Sequence, residues 1–136
     1  MGYSNGLCVI CGNAIENTEH LLVDCGKVNN LWKYIEQKLI NYDPICGSFT
    51  RFNKIAGILK EDQKFDEINM ILGIVRWEIW KSRCRIQYDN DMDKHNSLLK
   101  NVIFNIRNHV KVLLQTKRLW CSDNLKRLQY IFQKID

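Results

Sequence analysis

The stretch Cys8-Val9-Ile10-Cys11-Gly12-Asn13-Ala14-Ile15-Glu16-Asn17-Thr18-Glu19-His20-Leu21-Leu22-Val23-Asp24-Cys25 holds four potential metal ligands at the spacing C-x2-C-x8-H-x4-C. Three thiolates and one imidazole so close in sequence suit a single tetrahedral Zn²⁺. A two-residue gap between cysteines lets a tight turn aim both sulfurs at one ion, and Gly12 stands where such a turn needs positive φ. His20 and Cys25 fit the start of a short helix, which Asn17 or Thr18 can cap. The competing readings are a set of unlinked buried or free cysteines, or a disulfide framework. All four protein ligands would fill the shell and leave no open position for water, so the site reads as structural rather than catalytic.

Outside this stretch the chain reads as helical. It has 136 residues, 46% of them hydrophobic, with one proline and seven glycines. That is enough apolar material for one core and rules out a disordered tail. The expected division is a zinc knuckle at 1–27 and a helical domain at 28–136 packed on it. Val28, Leu31, Trp32, Ile35, Leu39 and Tyr42 recur at helical spacing and predict a helix over 28–42, ended by Asp43-Pro44. Phe49, Phe52, Ile55, Ile58 and Leu59 predict a second over 49–60, weakened by Gly57. A long, largely buried helix over 65–88 follows from Ile68, Ile71, Leu72, Val75, Ile79 and Ile86, with Met70, Ile74 and Trp77 as a second apolar face. Another runs from about 94 to 119 on the stripe Leu99, Val102, Ile103, Ile106, Val110, Leu113 and Leu114. A last helix spans 124–135, opened by Ser122 or Asp123. The fold class is therefore mainly α, with about four to five helices behind an N-terminal CCHC knuckle.

No apolar run is long enough to span a bilayer, and residues 1–6 have neither the basic nor the apolar segment of a secretory signal. The expected setting is intracellular, in cytoplasm or nucleus, with no membrane partner. In a reducing compartment clustered Cys and His point to metal rather than disulfides. Cys46, Cys84 and Cys121 read as small buried hydrophobes. His95 and His109 read as surface histidines. Asp89-Asn90-Asp91-Met92-Asp93 lacks the glycine and glutamate of a Ca²⁺ loop and reads as a connector. Neither a phosphate-cradling glycine loop nor a nucleophile elbow occurs.

The net charge of +5 is uneven. Residues 1–46 hold three Lys/Arg against five Asp/Glu, whereas from Lys100 onward the count is eight against two. A basic C-terminal half suits an anionic partner, nucleic acid foremost. Lys100, Arg107, Lys111 and Arg118 would form a ridge about 27 Å long that can follow a phosphate backbone, with Lys117, Lys126 and Arg127 as further contacts. The alternative is ordinary solubilising charge. Trp77 and Trp80 can be read as a stacking platform for bases or, preferably, as core packing.

Two motifs together resemble a known family. Cys8-x2-Cys11, Glu19-His20-Leu21-Leu22-x2-Cys25 and Leu31-Trp32 precede Trp77-Glu78-Ile79-Trp80-Lys81-Ser82-Arg83, a W-x-x-W-x-x-R pattern. The combination resembles the zinc-binding C-terminal segment of non-LTR, LINE-like retrotransposon reverse transcriptases, over roughly residues 8–88. That family usually continues the second motif with asparagine, where this chain has Cys84. The resemblance implies that Cys8, Cys11, His20 and Cys25 hold one structural Zn²⁺. It implies that the chain is part of a larger reverse transcriptase, binds template RNA or target DNA, and lacks the polymerase carboxylates, so that it is not an enzyme by itself. The alternative expectation is a structural or protein-interaction helical module stabilised by zinc, possibly retained by a host gene.

Overall fold

The computed structural model describes residues 6–60, 62, 64–89, 97–116 and 122–133. It is mainly helical, as the periodicity predicts. A π-helical turn at His20–Asp24 leads into α1 (Gly26–Leu39), a 3₁₀ turn (Pro44–Gly47), α2 (Arg51–Ala56), α3 (Lys64–Asp89), α4 (Leu98–Thr116) and α5 (Ser122–Ile131). Among the described residues no strand forms; an isolated antiparallel bridge pairs Leu7 with Ile15. Among them, too, no helix is long and apolar enough to cross a membrane.

Helix α1 buries Val28, Leu31, Trp32, Ile35 and Leu39, one face at helical spacing. Buried Trp32 keeps its indole N–H satisfied by donating to the Leu22 carbonyl at 2.6 Å, which ties the helix to the knuckle. The predicted helix over 28–42 ends at Leu39; Tyr42 is still buried, but in the following turn. Asp43 caps the 3₁₀ turn by accepting from the Ile45 N–H at 3.0 Å, with Pro44 at its first position.

The second predicted helix shrinks from 49–60 to 51–56. Thr50 and Asn53 form a reciprocal capping box at its start. It stops at Gly57, whose φ of +88° no ordinary residue adopts readily. Beyond it, Ile58 turns its backbone to Asn69 on α3, donating N–H to Oδ1 at 2.7 Å and accepting from Nδ2 at 2.8 Å.

Helix α3 has 26 residues, about 39 Å of length. It buries Phe65, Ile68, Ile71, Leu72, Val75, Ile79 and Ile86. Helix α4 presents Leu98, Val102, Ile103, Ile106 and Val110 inward, and α5 presents Leu125 and Leu128, followed by Phe132. Cys8, Ile10, Leu21 and Cys25 belong to the same continuous buried cluster as these helices. The knuckle is therefore seated on the helical core rather than tethered to it. Cys46 is buried, Cys84 is half-buried, and both are free thiols. Cys121, His95 and the acidic connector after Asp89 lie outside the described residues.

Candidate metal centre

Residues 6–16 fold as a tight loop. The Cys8 N–H donates to the Ala14 carbonyl, the Gly12 N–H to the Cys8 carbonyl, and the Glu16 N–H to the Gly6 carbonyl, all within 2.8–2.9 Å. Gly12 has φ +69°, and a Cβ there would meet nothing within 4 Å. The glycine serves the backbone angle, not a close approach. The loop aims Cys8 inward, while Cys11 stays half-buried.

Asn17 then caps the next turn by accepting from the His20 N–H at 2.8 Å. That turn is π-helical: the Cys25 N–H donates to the His20 carbonyl, five residues back, at 2.7 Å. The register matters. In an α-helix, residues five apart lie about 140° apart around the axis. The wider π turn brings Cys25 back toward the face of His20. Cys25 itself leaves helical geometry and accepts from the N–H groups of Val28 and Asn29 as the start of α1.

The outcome is a convergent cluster. The Sγ atoms of Cys8, Cys11 and Cys25 and a ring nitrogen of His20 all lie within 4.8 Å of one another. His20 Nε2 is 3.3 Å from Cys11 Sγ. Zn–S and Zn–N bonds in a tetrahedron separate ligand atoms by about 3.5–3.8 Å, so one ion fits these four donors with small adjustments. The protein holds the two innermost thiols against ionisation: burial pushes Cys8 up and Cys25 up to about 12. Burial also acts on Cys11, but the Asn13 N–H, the His20 ring and the neighbouring thiols outweigh it and bring that thiol down to about 7. A cation is what would compensate three thiolates here, so the group can bind a metal ion.

Two arginines anchor the cluster from outside. Arg83 of α3, buried, donates to Glu16 Oε2 through Nε at 3.0 Å and Nη2 at 2.8 Å. Arg51 of α2 forks onto Asp24, with one bond at 2.8 Å, and reaches Glu19 at 2.7 Å. The Arg51 guanidinium holds the Asp24 carboxyl below its usual range. Sequence reading singles out the W-x-x-W-x-x-R stretch without its partners. Its arginine clamps a residue 67 positions earlier, and its glutamate, Glu78, is buried between Lys81 at 2.8 Å and the Asn105 amide of α4.

The basic candidates divide. Lys100 and Lys111 of α4 and Lys126 of α5 are exposed. Arg107 instead donates to the Phe132 and Gln133 carbonyls at the end of α5, as a cationic cap. Arg127 donates to the Tyr42 carbonyl at 2.6 Å and stacks 4.8 Å from the Tyr42 ring. Lys117 and Arg118 lie outside the described residues. Phe104, which the sequence reading passes over, is exposed between the two lysines, so Lys100, Phe104, Asn108 and Lys111 make one outward stripe. Its signal was present in the sequence: four, four and three residues apart is a helical face. The inward packing preferred for Trp77 and Trp80 is not what the structure has, since they are 57% and 46% exposed. His109 is exposed, as read.

No protein-family model, curated protein or solved structure matches this chain.

Proposed function

We propose that the chain is a zinc-binding, nucleic-acid-binding module, not catalytic by itself, of the kind found at the C-terminal end of LINE-like reverse transcriptases. Zn²⁺ is the ion best suited to three thiolates and one imidazole in a tetrahedron, and its binding would supply on the order of 10 kcal/mol toward folding the knuckle. Cys8, Cys11, His20 and Cys25 would hold it. The motif resemblance over residues 8–88 supports the family reading. The observation that carries the binding reading is the outward stripe of α4, where exposed Lys100 and Lys111 flank exposed Phe104. Cations beside an exposed aromatic ring suit a phosphate backbone with bases next to it.

The test is anisotropy of labelled single-stranded RNA and DNA, titrated with zinc-loaded protein at several salt concentrations. About five phosphate contacts, from Lys100, Lys111, Lys117, Arg118 and Lys126, give a slope of about −3.5 in log K against log salt. That is about a hundredfold loss between 50 and 200 mM salt. No binding at low salt would end this reading. A second reading, a zinc-stabilised module that docks on another protein domain, is favoured by one observation: Arg107 and Arg127 are committed to backbone carbonyls within the chain. It predicts no salt-dependent affinity for either nucleic acid.

A further inference from the structure

We propose that Trp77 is a two-sided stacking wall for unpaired bases of a single-stranded nucleic acid, so that α3 adds a base-contacting surface to the α4 stripe. The proposal rests on the nucleic-acid reading above and names the site within it. Trp77 stands between two clefts. One, of about 380 Å³, is lined by Thr18, Leu21, Leu22, Gly73, Arg76, Trp77 and Trp80. The other, of about 430 Å³, is lined by Met70, Gly73, Ile74, Trp77 and Lys81 of α3 and by Asn105 and His109 of α4. Both are in the size range of ligand clefts.

Three observations fix the occupant's chemistry. First, the linings carry Arg76 and Lys81 but no carboxylate, so the walls are apolar and aromatic with a basic residue at the edge of each cleft. A third cleft, lined by Asp66 and Glu67, has the opposite character. Second, the Lys81 ammonium is held 5.7 Å from the Trp77 ring centre. Buried Glu78 positions Lys81 at 2.8 Å. A partly exposed cation is thereby fixed beside the exposed Trp77 indole, where a phosphate next to a stacked base would lie. Third, Gly73 forms part of both linings. A glycine inside a helix costs about 1 kcal/mol relative to alanine. Packing does not require it, because a Cβ there would meet only Arg76 Nη2 at 3.7 Å. Its effect is to leave the floor open on both sides of Trp77.

The experiment uses the full zinc-loaded chain and two labelled probes: an oligouridine RNA of about 12 nucleotides and a blunt DNA duplex of equal length. Base–aromatic stacking is worth roughly 1–3 kcal/mol per base. Trp77→Ala should therefore weaken single-strand binding at least about tenfold and leave duplex binding within about twofold. Trp77→Phe should keep most of the affinity. Gly73→Met, which fills the floor without touching the core face, should weaken single-strand binding with a melting temperature equal to or above that of the unaltered protein. Unchanged single-strand affinity in Trp77→Ala, or an equal loss for duplex, overturns the proposal while the nucleic-acid reading stands. If the unaltered protein binds neither probe at low salt, both fall.

Discussion

Replacing Arg83 by methionine tests how the knuckle is held to the helices. The Arg83 side chain is 6% exposed and Glu16 is 14% exposed, and two N–H groups of the first meet one carboxylate oxygen of the second. Glu16 Oε1 is buried with no hydrogen-bond partner among the described residues. Methionine keeps most of the volume but strands a buried carboxylate. Removing one partner of a buried ion pair costs about 3–5 kcal/mol, and the lower end applies here because Glu16 keeps some solvent. Loss of the stacking on Trp80 adds a few tenths. We expect about 3 kcal/mol from urea unfolding of the metal-loaded protein, or about 10 °C in melting temperature for a chain of this size. The control is the cycle with Glu16→Met. Removing both charges should restore part of the loss, giving a coupling of about 2 kcal/mol. Single losses that add within about 0.5 kcal/mol would refute the clamp.

Other expectations follow from particular contacts. Arg107→Glu should lower stability by about 2 kcal/mol, because it places a carboxylate against the carbonyl end of α5, whereas Lys111→Glu should weaken nucleic-acid binding without altering the melting temperature. Equal stability of the two would contradict the capping role. Gly57→Ala should cost about 2–4 kcal/mol, since φ is +88° and the new Cβ would lie 2.7 Å from Asn69 Oδ1, which accepts from Ile58; a loss under about 0.5 kcal/mol in thermal melts would refute it. Metal binding at pH 7 should release about two to three protons from the thiols. Cys8 and Cys25, raised by burial, keep theirs until the ion displaces them, and Cys11 at about 7 gives up about half of one. Affinity should therefore fall as pH falls, and calorimetry in buffers of different ionisation enthalpy reads the number; release of fewer than one contradicts it.

The helices were legible where burial repeats regularly. Val102, Ile106 and Val110 on α4, or Ile68, Ile71, Leu72, Val75 and Ile79 on α3, define their faces by spacing alone. The same geometry explains the misreading of Trp77. It lies two residues from both Val75 and Ile79, about 160° around the helix from each, so the face that buries them turns it outward. Hydrophobicity argued for the core and angular position decided against it. Helix ends were less legible, because Gly57 and the Asn69 pairing of Ile58 depend on a residue 11 positions later. The four ligands were legible from residue type and spacing. The π register that brings Cys25 back toward His20 was not, since H-x4-C does not specify the hydrogen-bond pattern between them. Nor could spacing show that Arg107 and Arg127, apparently surface cations, reach backbone carbonyls 25 and 85 residues away.

The central claim is that Cys8, Cys11, His20 and Cys25 together hold one zinc ion and thereby fix the fold on which the helix faces stand. Native mass spectrometry of the protein purified without added chelator tests it most directly, with Cys25→Ser measured in parallel. The account predicts one zinc per chain in the unaltered protein and loss of most of it, with reduced thermal stability, in the variant. Clearly less than one zinc per chain, or a Cys25→Ser protein that retains both its metal and its stability, would contradict it.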